Sequence, residues 1–158
     1  MKSNIVVGAL VVAVIGVVGV MAMQAFPRSA IAPKVAVAAT IYKSPSCGCC
    51  KQYTAYLKGE GYGVETENVA DMTRIKEQYG VPYELESCHT MEIAGYVVEG
   101  HVPEVAVQKL LTEKPDIKGV GMAGMPSGSP GMPGPKKSDF AIYEITHEGT
   151  RGGVFMTI

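Results

Sequence analysis

The chain opens on a run of uncharged residues, 5–23, made almost entirely of Val, Ala, Gly, Ile, Leu and Met. At 1.5 Å per helical residue that run is about 28 Å long, close to the roughly 30 Å hydrocarbon core of a bilayer. A cleavable signal peptide has a shorter apolar region, about 7–15 residues, with a small-residue cleavage site close behind it. Here the nearest small-x-small site is Ala36-Val37-Ala38, well past the run. Residues 1–24 are therefore predicted as an N-terminal hydrophobic helix, either a signal anchor or a signal peptide. Residues 25–36, punctuated by Pro27 and Pro33, read as a linker, and 37–158 as a single domain.

Within that domain the periodicity alternates between strand and helix. The β-branched apolar run at 35–42 suits a buried strand, broken by Ser44-Pro45-Ser46. A helix over 49–59 places Tyr53, Tyr56 and Leu57 on one face before Gly59 and Gly61 end it. Alternation at 62–69 predicts a second strand. Asp71 can cap a helix reaching Tyr79, which Gly80-Val81-Pro82 stops. Residues 90–93 and 96–99 flank Ala94-Gly95 as a hairpin, and Pro103 opens a helix through Thr112. Residues 119–135 read as a Gly/Pro/Met loop, and 140–146 with 153–158 as a closing hairpin around Glu148-Gly149. The class is α/β.

Charge narrows the function. All 15 acidic residues and 11 of the 14 basic ones lie beyond residue 36, with no basic run among them. Nucleic-acid binding needs a clustered positive face, so that class is excluded. Both readings of the N-terminus put the domain in the periplasm, held at the inner membrane or released. Free thiols become paired in an oxidising compartment, so a multi-thiol site there needs a metal or a redox partner.

The chain has four cysteines, three in Cys47-Gly48-Cys49-Cys50 and the fourth in Cys88-His89. Unpaired N–H groups and the dipole at a helix N-terminus lower thiol pKa values, favouring the thiolate for attack or metal binding. Cys47 and Cys50 have the spacing of a redox dithiol, to which Cys49 is surplus; a Cys49–Cys50 bridge between neighbours would be strained. Thiolates select Cu(I), Zn(II) and iron–sulfur clusters, and sulfurs at successive angles around one turn suit bridging of several Cu(I) ions. A redox dithiol, a structural zinc and inert or disulfide-bonded cysteines are the other readings. Cys88 alone would pass for a small buried hydrophobe, but the adjacent His89 makes both candidate ligands. His101 reads equally as a surface-turn or site residue, and His147 as an exposed turn residue. Met122, Met125 and Met132 offer thioethers that bind Cu(I) without deprotonation, or else pack their loop. Met72 and Met156 read as core.

A strand feeding a cysteine motif at a helix N-terminus, followed by a hairpin and a helix, resembles the thioredoxin fold, here with a C-terminal β-hairpin extension. Tyr79-Gly80-Val81-Pro82 and residues 95–100 are similar to glutaredoxins. That resemblance implies that Cys88-His89-Thr90 faces the cysteine motif. It also has Thr90 where thioredoxins carry a cis-proline. More specifically, Cys47-Gly48-Cys49-Cys50, Ser87-Cys88-His89-Thr90, the run from Gly95 through His101-Val102-Pro103 and the run Gly124-Met125-Pro126 through Gly131-Met132 occur in order. Together, over 40–158, they resemble the bacterial copper-resistance family of the CopG type. The resemblance implies an exported thioredoxin-like domain that binds copper through the cysteine cluster and the Cys-His pair and interconverts Cu(II) and Cu(I). Many members carry a Trp and a His where this chain has Tyr53 and Tyr56, so that histidine's role does not carry over.

The expectation is thus a multinuclear Cu(I) site at Cys47, Cys49, Cys50, Cys88 and His89, with His101, Met122, Met125 and Met132 as further ligands. Its partners would be copper ions and other periplasmic copper-handling proteins or a redox partner. The rivals are a periplasmic thiol–disulfide oxidoreductase using Cys47 and Cys50, and a zinc-stabilised interaction module.

Overall fold

Alternation along β1 (Ala38–Lys43) buries Ala39, Ile41 and Lys43 while their neighbours stay partly open. Residues 36–158 are those described by this computed structural model; the hydrophobic helix expected at 1–24 and all but the last residue of the linker lie outside them. After β1 come α1 (Gly48–Gly59), β2 (Gly63–Asn68), α2 (Met72–Tyr79), a short 3-10 turn (Tyr83–Leu85), β3 (His89–Ile93) and β4 (Tyr96–Glu99). They are followed by α3 (Glu104–Glu113), β5 (Gly119–Gly121), β6 (Ala141–Ile145) and β7 (Arg151–Thr157). Among the described residues no helix is long and apolar enough to cross a membrane.

The strands form one open mixed sheet in the order β2-β1-β3-β4-β5-β6-β7. β1 pairs with β2 in parallel and with β3 antiparallel, and β3 and β4 form the expected hairpin. That four-stranded part, with its crossover helix, is consistent with a thioredoxin-like architecture. β5 joins β4 in parallel, and the β6–β7 hairpin extends the sheet from there. Val97 and Val98, adjacent on β4, belong to different core clusters, as strand alternation requires. Tyr53 and Leu57 of α1 and Ala106, Val107 and Leu110 of α3 pack into the larger cluster. Val81, Leu85 and Ile145 build the smaller one on the opposite side of the sheet.

Among the boundaries that differ from the sequence expectation, two are informative. Residues 119–121, expected in a loop, form β5. The glycines that suggested a loop are there because the strand presses on its neighbour: a Cβ at Gly119 would lie 1.9 Å from the Val97 carbonyl oxygen. α1 begins one residue early, with Cys47 as its N-cap and the Cys47 sulfur accepting from the Cys50 N–H at 3.3 Å. α2 follows its signals: Asp71 accepts from the Thr73 and Arg74 N–H groups, and Gly80 ends the helix at φ 62°.

α2 carries a charge inward. Lys76 and Glu99 are buried and ion-paired, tying α2 to β4. The Glu99 carboxylate also accepts from Thr90 Oγ1 at 2.6 Å and from the Ser87 N–H at 2.7 Å. Burial pushes the Glu99 carboxyl above its ordinary value, while Lys76 and the other two donors hold it down. Glu99→Leu should cost about 3–5 kcal/mol in urea unfolding, because it strands a buried ammonium. Lys76→Met/Glu99→Leu should recover much of that loss, and a double variant no more stable than the single would show that the ion pair is not the source.

Candidate metal centre

β1 ends at Lys43, which lies opposite His89 at the start of β3. The cysteine turn that follows β1 and the Cys88 segment that precedes β3 therefore emerge at the same end of the sheet. Cys47 and Cys50, with Cα atoms 5.4 Å apart, are joined in a disulfide, and Cys49 and Cys88 are free and partly buried. The Cys88 sulfur lies 3.5 Å from that of Cys50 and 3.7 Å from that of Cys49, which is itself 3.5 Å from that of Cys47. All four sulfurs fall within 4.8 Å of one another.

Cys88 also belongs to a second group. Its sulfur is 3.4 Å from His89 Nδ1 and 3.0 Å from His101 Nε2. His101 Nδ1 lies 2.6 Å from the Pro130 carbonyl oxygen, which can only accept, so Nδ1 carries the proton and Nε2 presents its lone pair to Cys88. His89 is fully buried and its Nε2 has no hydrogen-bond partner among the described residues. The rings of His89 and His101 lie 4.9 Å apart, with Tyr53 4.6 Å from His89, and Tyr53 is fixed by donating to the Val102 carbonyl at 2.8 Å.

This environment disfavours charge. Burial holds the His89 imidazole well below its ordinary pKa, reinforced by His101 and Lys76, and burial likewise lowers His101. Burial, followed by the neighbouring Cys49 thiol, pushes the Cys88 thiol up to about 12. The lowering expected for thiols at the helix N-terminus does not extend to Cys88, which precedes a strand. At neutral pH the second group is one thiol and two neutral imidazoles, and a metal entering it must displace the Cys88 proton.

The loop after β5 closes over the cysteine turn. Gly131 has φ +80°, and a Cβ there would lie 2.7 Å from Tyr53 N and 3.0 Å from the Cys49 carbonyl oxygen. Ser87 Oγ donates to the Gly124 carbonyl, and the Gly124 N–H donates to the Glu86 carbonyl. Met125, half-exposed, brings its sulfur to 3.8 Å from that of Cys49. Met122 instead packs in the larger core cluster, and Met132 is half-buried in the loop.

The structure thus brings Cys47, Cys49, Cys50, Cys88, His89, His101 and Met125 together. His147 is exposed and pairs with Asp116 at 3.0 Å. Of the methionines expected in the core, Met156 packs against it and Met72 is half-buried. Sequence reasoning missed the Pro130 carbonyl, the Gly131 seat and the Glu99 anchor. The first two sit in a run whose glycines signalled special backbone, and Glu99 stands as a lone charge at the end of an apolar strand.

A family model described as a protein of unknown function, DUF411, matches residues 85–132. No curated protein matches the chain. Two solved structures of the copper resistance protein CopG, forms 2 and 1, are each 37% identical to it and superpose with TM-scores of 0.72 and 0.71. Each match covers 78% of this chain and 98% of the other. At that identity and coverage, the chain belongs to the family of the copper resistance protein CopG.

Proposed function

We propose that residues 37–158 form a periplasmic domain that binds more than one Cu(I) ion and contributes to copper resistance. Four sulfurs within 4.8 Å of one another are the observation that carries this reading. Soft thiolates shared between ions suit Cu(I), and four sulfurs exceed what a dithiol enzyme needs. Reduction of the Cys47–Cys50 disulfide by two electrons frees all four sulfurs as ligands. His89 and His101 then stand at the edge that Cys88 occupies, and Met125 stands at the exposed side beside Cys49. The name of the solved relatives supports the same metal. The same couple permits valence change: a Cys47–Cys50 dithiolate gives two electrons to two Cu(II) ions and closes to the disulfide.

Residues 1–24 deliver the domain to the periplasm as a signal anchor or signal peptide, and 25–36 link it. Its partners are copper ions and the periplasmic proteins that hand copper on or supply electrons. A thiol–disulfide oxidoreductase is the second reading, supported by the closed Cys47–Cys50 pair at the N-cap of α1.

The two readings part on Cys49 and Cys88. With full-length protein reduced under anaerobic conditions, Cys49→Ser and Cys88→Ser should each lose about half or more of the bound Cu(I), as Cys47→Ser and Cys50→Ser do, because a hydroxyl is a hard substitute for a shared sulfur. Retention of full copper in both, with disulfide reduction depending on Cys47 and Cys50 alone, would establish the enzyme instead. Uptake of one tightly held zinc without copper would establish the zinc module.

The loop makes its own forecast. Gly131→Ala should drive a Cβ into the backbone of α1 and lift Pro130 and Met125 from the site. Copper loss to a competing chelator should accelerate about tenfold or more, the size of effect seen when outer-shell partners are removed. An unchanged loss rate would show that the loop does not retain the metal.

A further inference from the structure

Alternation puts Lys43 on the same face of β1 as Ala39 and Ile41, where the strand meets the larger core cluster. Lys43 is nevertheless a cation, and it is only 3% exposed. Lysines are almost never that buried without an opposite charge, because removing an ammonium from water costs several kcal/mol. Lys76, buried to a similar degree, has such a partner in Glu99. Lys43 does not. Its ammonium donates to the Ser44 carbonyl at 3.2 Å and to Asn68 Oδ1 at 2.8 Å, both neutral acceptors. An ammonium has three protons, so one is left without an acceptor among the described residues. We propose that Lys43 is the floor of a binding site for one small, doubly charged oxyanion, a phosphate or a short dicarboxylate.

A cavity of about 270 Å³ opens beside this side chain, lined by Lys43, Pro45, Lys51, Thr54, Thr66 and Asn68. Lys51, exposed near the start of α1, brings a second cation to the rim. Asn68 accepts from Lys43 through Oδ1, which leaves its NH2 end to donate, and the Thr66 hydroxyl adds another neutral donor. Thr54 forms wall only, since its hydroxyl donates to the Cys50 carbonyl at 3.0 Å. No carboxylate lines the cavity. That is a property of the register, because the domain is acidic overall, with all 15 acidic residues and 11 of the 14 basic ones beyond residue 36. Thr66 lies opposite Ile41 and Asn68 opposite Lys43, which puts both on the cavity side, and alternation turns Glu65 and Glu67 of β2 to the other face. The volume falls just below the roughly 300–1,000 Å³ of pockets for drug-sized ligands, which suits a small ion. Two lysines without a counter-ion call for two negative charges.

The two cations contribute unequally. Lys43 sits where solvent and salt screen it little, so its charge-assisted hydrogen bond to the anion is the stronger. Lys51 acts across water at the rim, where an ion pair is worth less. The site uses none of the sulfurs or imidazoles of the metal centre, so it stands or falls independently of the copper reading. The competing role for Lys43 is purely structural, tying the end of β1 to β2 and to Ser44; that role needs neither Lys51 nor an anion.

The test titrates the full-length, nitrogen-15-labelled chain in uncharged detergent with inorganic phosphate and, separately, with malonate, holding ionic strength constant with chloride. Saturable amide shifts should appear at Lys43, Lys51, Thr54, Thr66 and Asn68, and chloride alone should not produce them. Saturation by phosphate alone, by malonate alone or by both supports the site and tells which oxyanion it takes. Lys43→Met should weaken the binding about tenfold or more, the loss expected for a hydrogen bond to a charged group. Lys51→Glu, a change at an exposed position, should weaken it about fivefold or more, because it replaces attraction by repulsion at the rim. If Lys43→Met does not fold, Lys51→Glu decides alone. No saturable shift with either anion, or affinity unchanged in Lys51→Glu, overturns the site and leaves Lys43 its structural role.

Discussion

 The antiparallel register sets Lys43 of β1 against His89 of β3, and Ile41 against Met91. A slip of one residue would turn the buried Ile41, Met91 and Ile93 toward the wrong face of the sheet, so core burial enforces the register. Fixing it puts the end of β1 beside the start of β3. The cysteine turn and Cys88, far apart in sequence, then have no other place to be than together. Glu99 secures the arrangement from β4 by holding the Ser87 N–H and the Thr90 hydroxyl on either side of Cys88-His89.

Burial then decides the chemistry. A dithiol enzyme depends on a nucleophile that ionises readily, and its rate follows the thiolate fraction. Cys88 is the opposite kind of thiol, raised by burial and by the Cys49 thiol beside it. The histidines flanking it are held neutral by the same burial. Such a group reacts poorly as a base or nucleophile and well as a ligand, because a metal cation supplies the charge that makes the thiolate stable. The thioredoxin-like frame is thus kept while the surroundings of its added sulfur favour metal capture over thiol exchange.

Much of this was legible in the sequence, and the reasons are specific. The β-branched run into Ser44-Pro45-Ser46 marks a strand ending at the cysteine motif, and the Tyr53–Leu57 stripe marks the helix after it. Local patterns also found the Ala94-Gly95 hairpin. Placing Cys88 against that motif needed the fold resemblance, because no local pattern encodes a contact across the sheet. His101 was ambiguous since Gly100 and Pro103 around it carry turn chemistry, yet both His101 and Val102 are fully buried. β5 was hidden for a related reason: glycines chosen for close strand approach have the composition of a loop. Met122 and Met125 are equivalent as letters, and only the path of the chain sends one into the core and the other to Cys49.

That path explains why the last segment of the site is a loop rich in glycine and proline. To lie against the first turn of α1, the chain at Gly131 must come close enough that any Cβ would strike the helix backbone, and it does so at a positive φ. Pro130, immediately before it, lacks an N–H but still offers a carbonyl, and that carbonyl sets the His101 tautomer. A single local arrangement therefore covers the cysteine turn and turns the His101 Nε2 lone pair toward the Cys88 sulfur. Because the same loop carries Met125 on its exposed stretch, displacing it would uncover the sulfurs and release the His101 tautomer together. The loop contacts that cover the cysteine turn and those that orient His101 thus lie in one segment, while the sheet register fixes Cys88 independently of it.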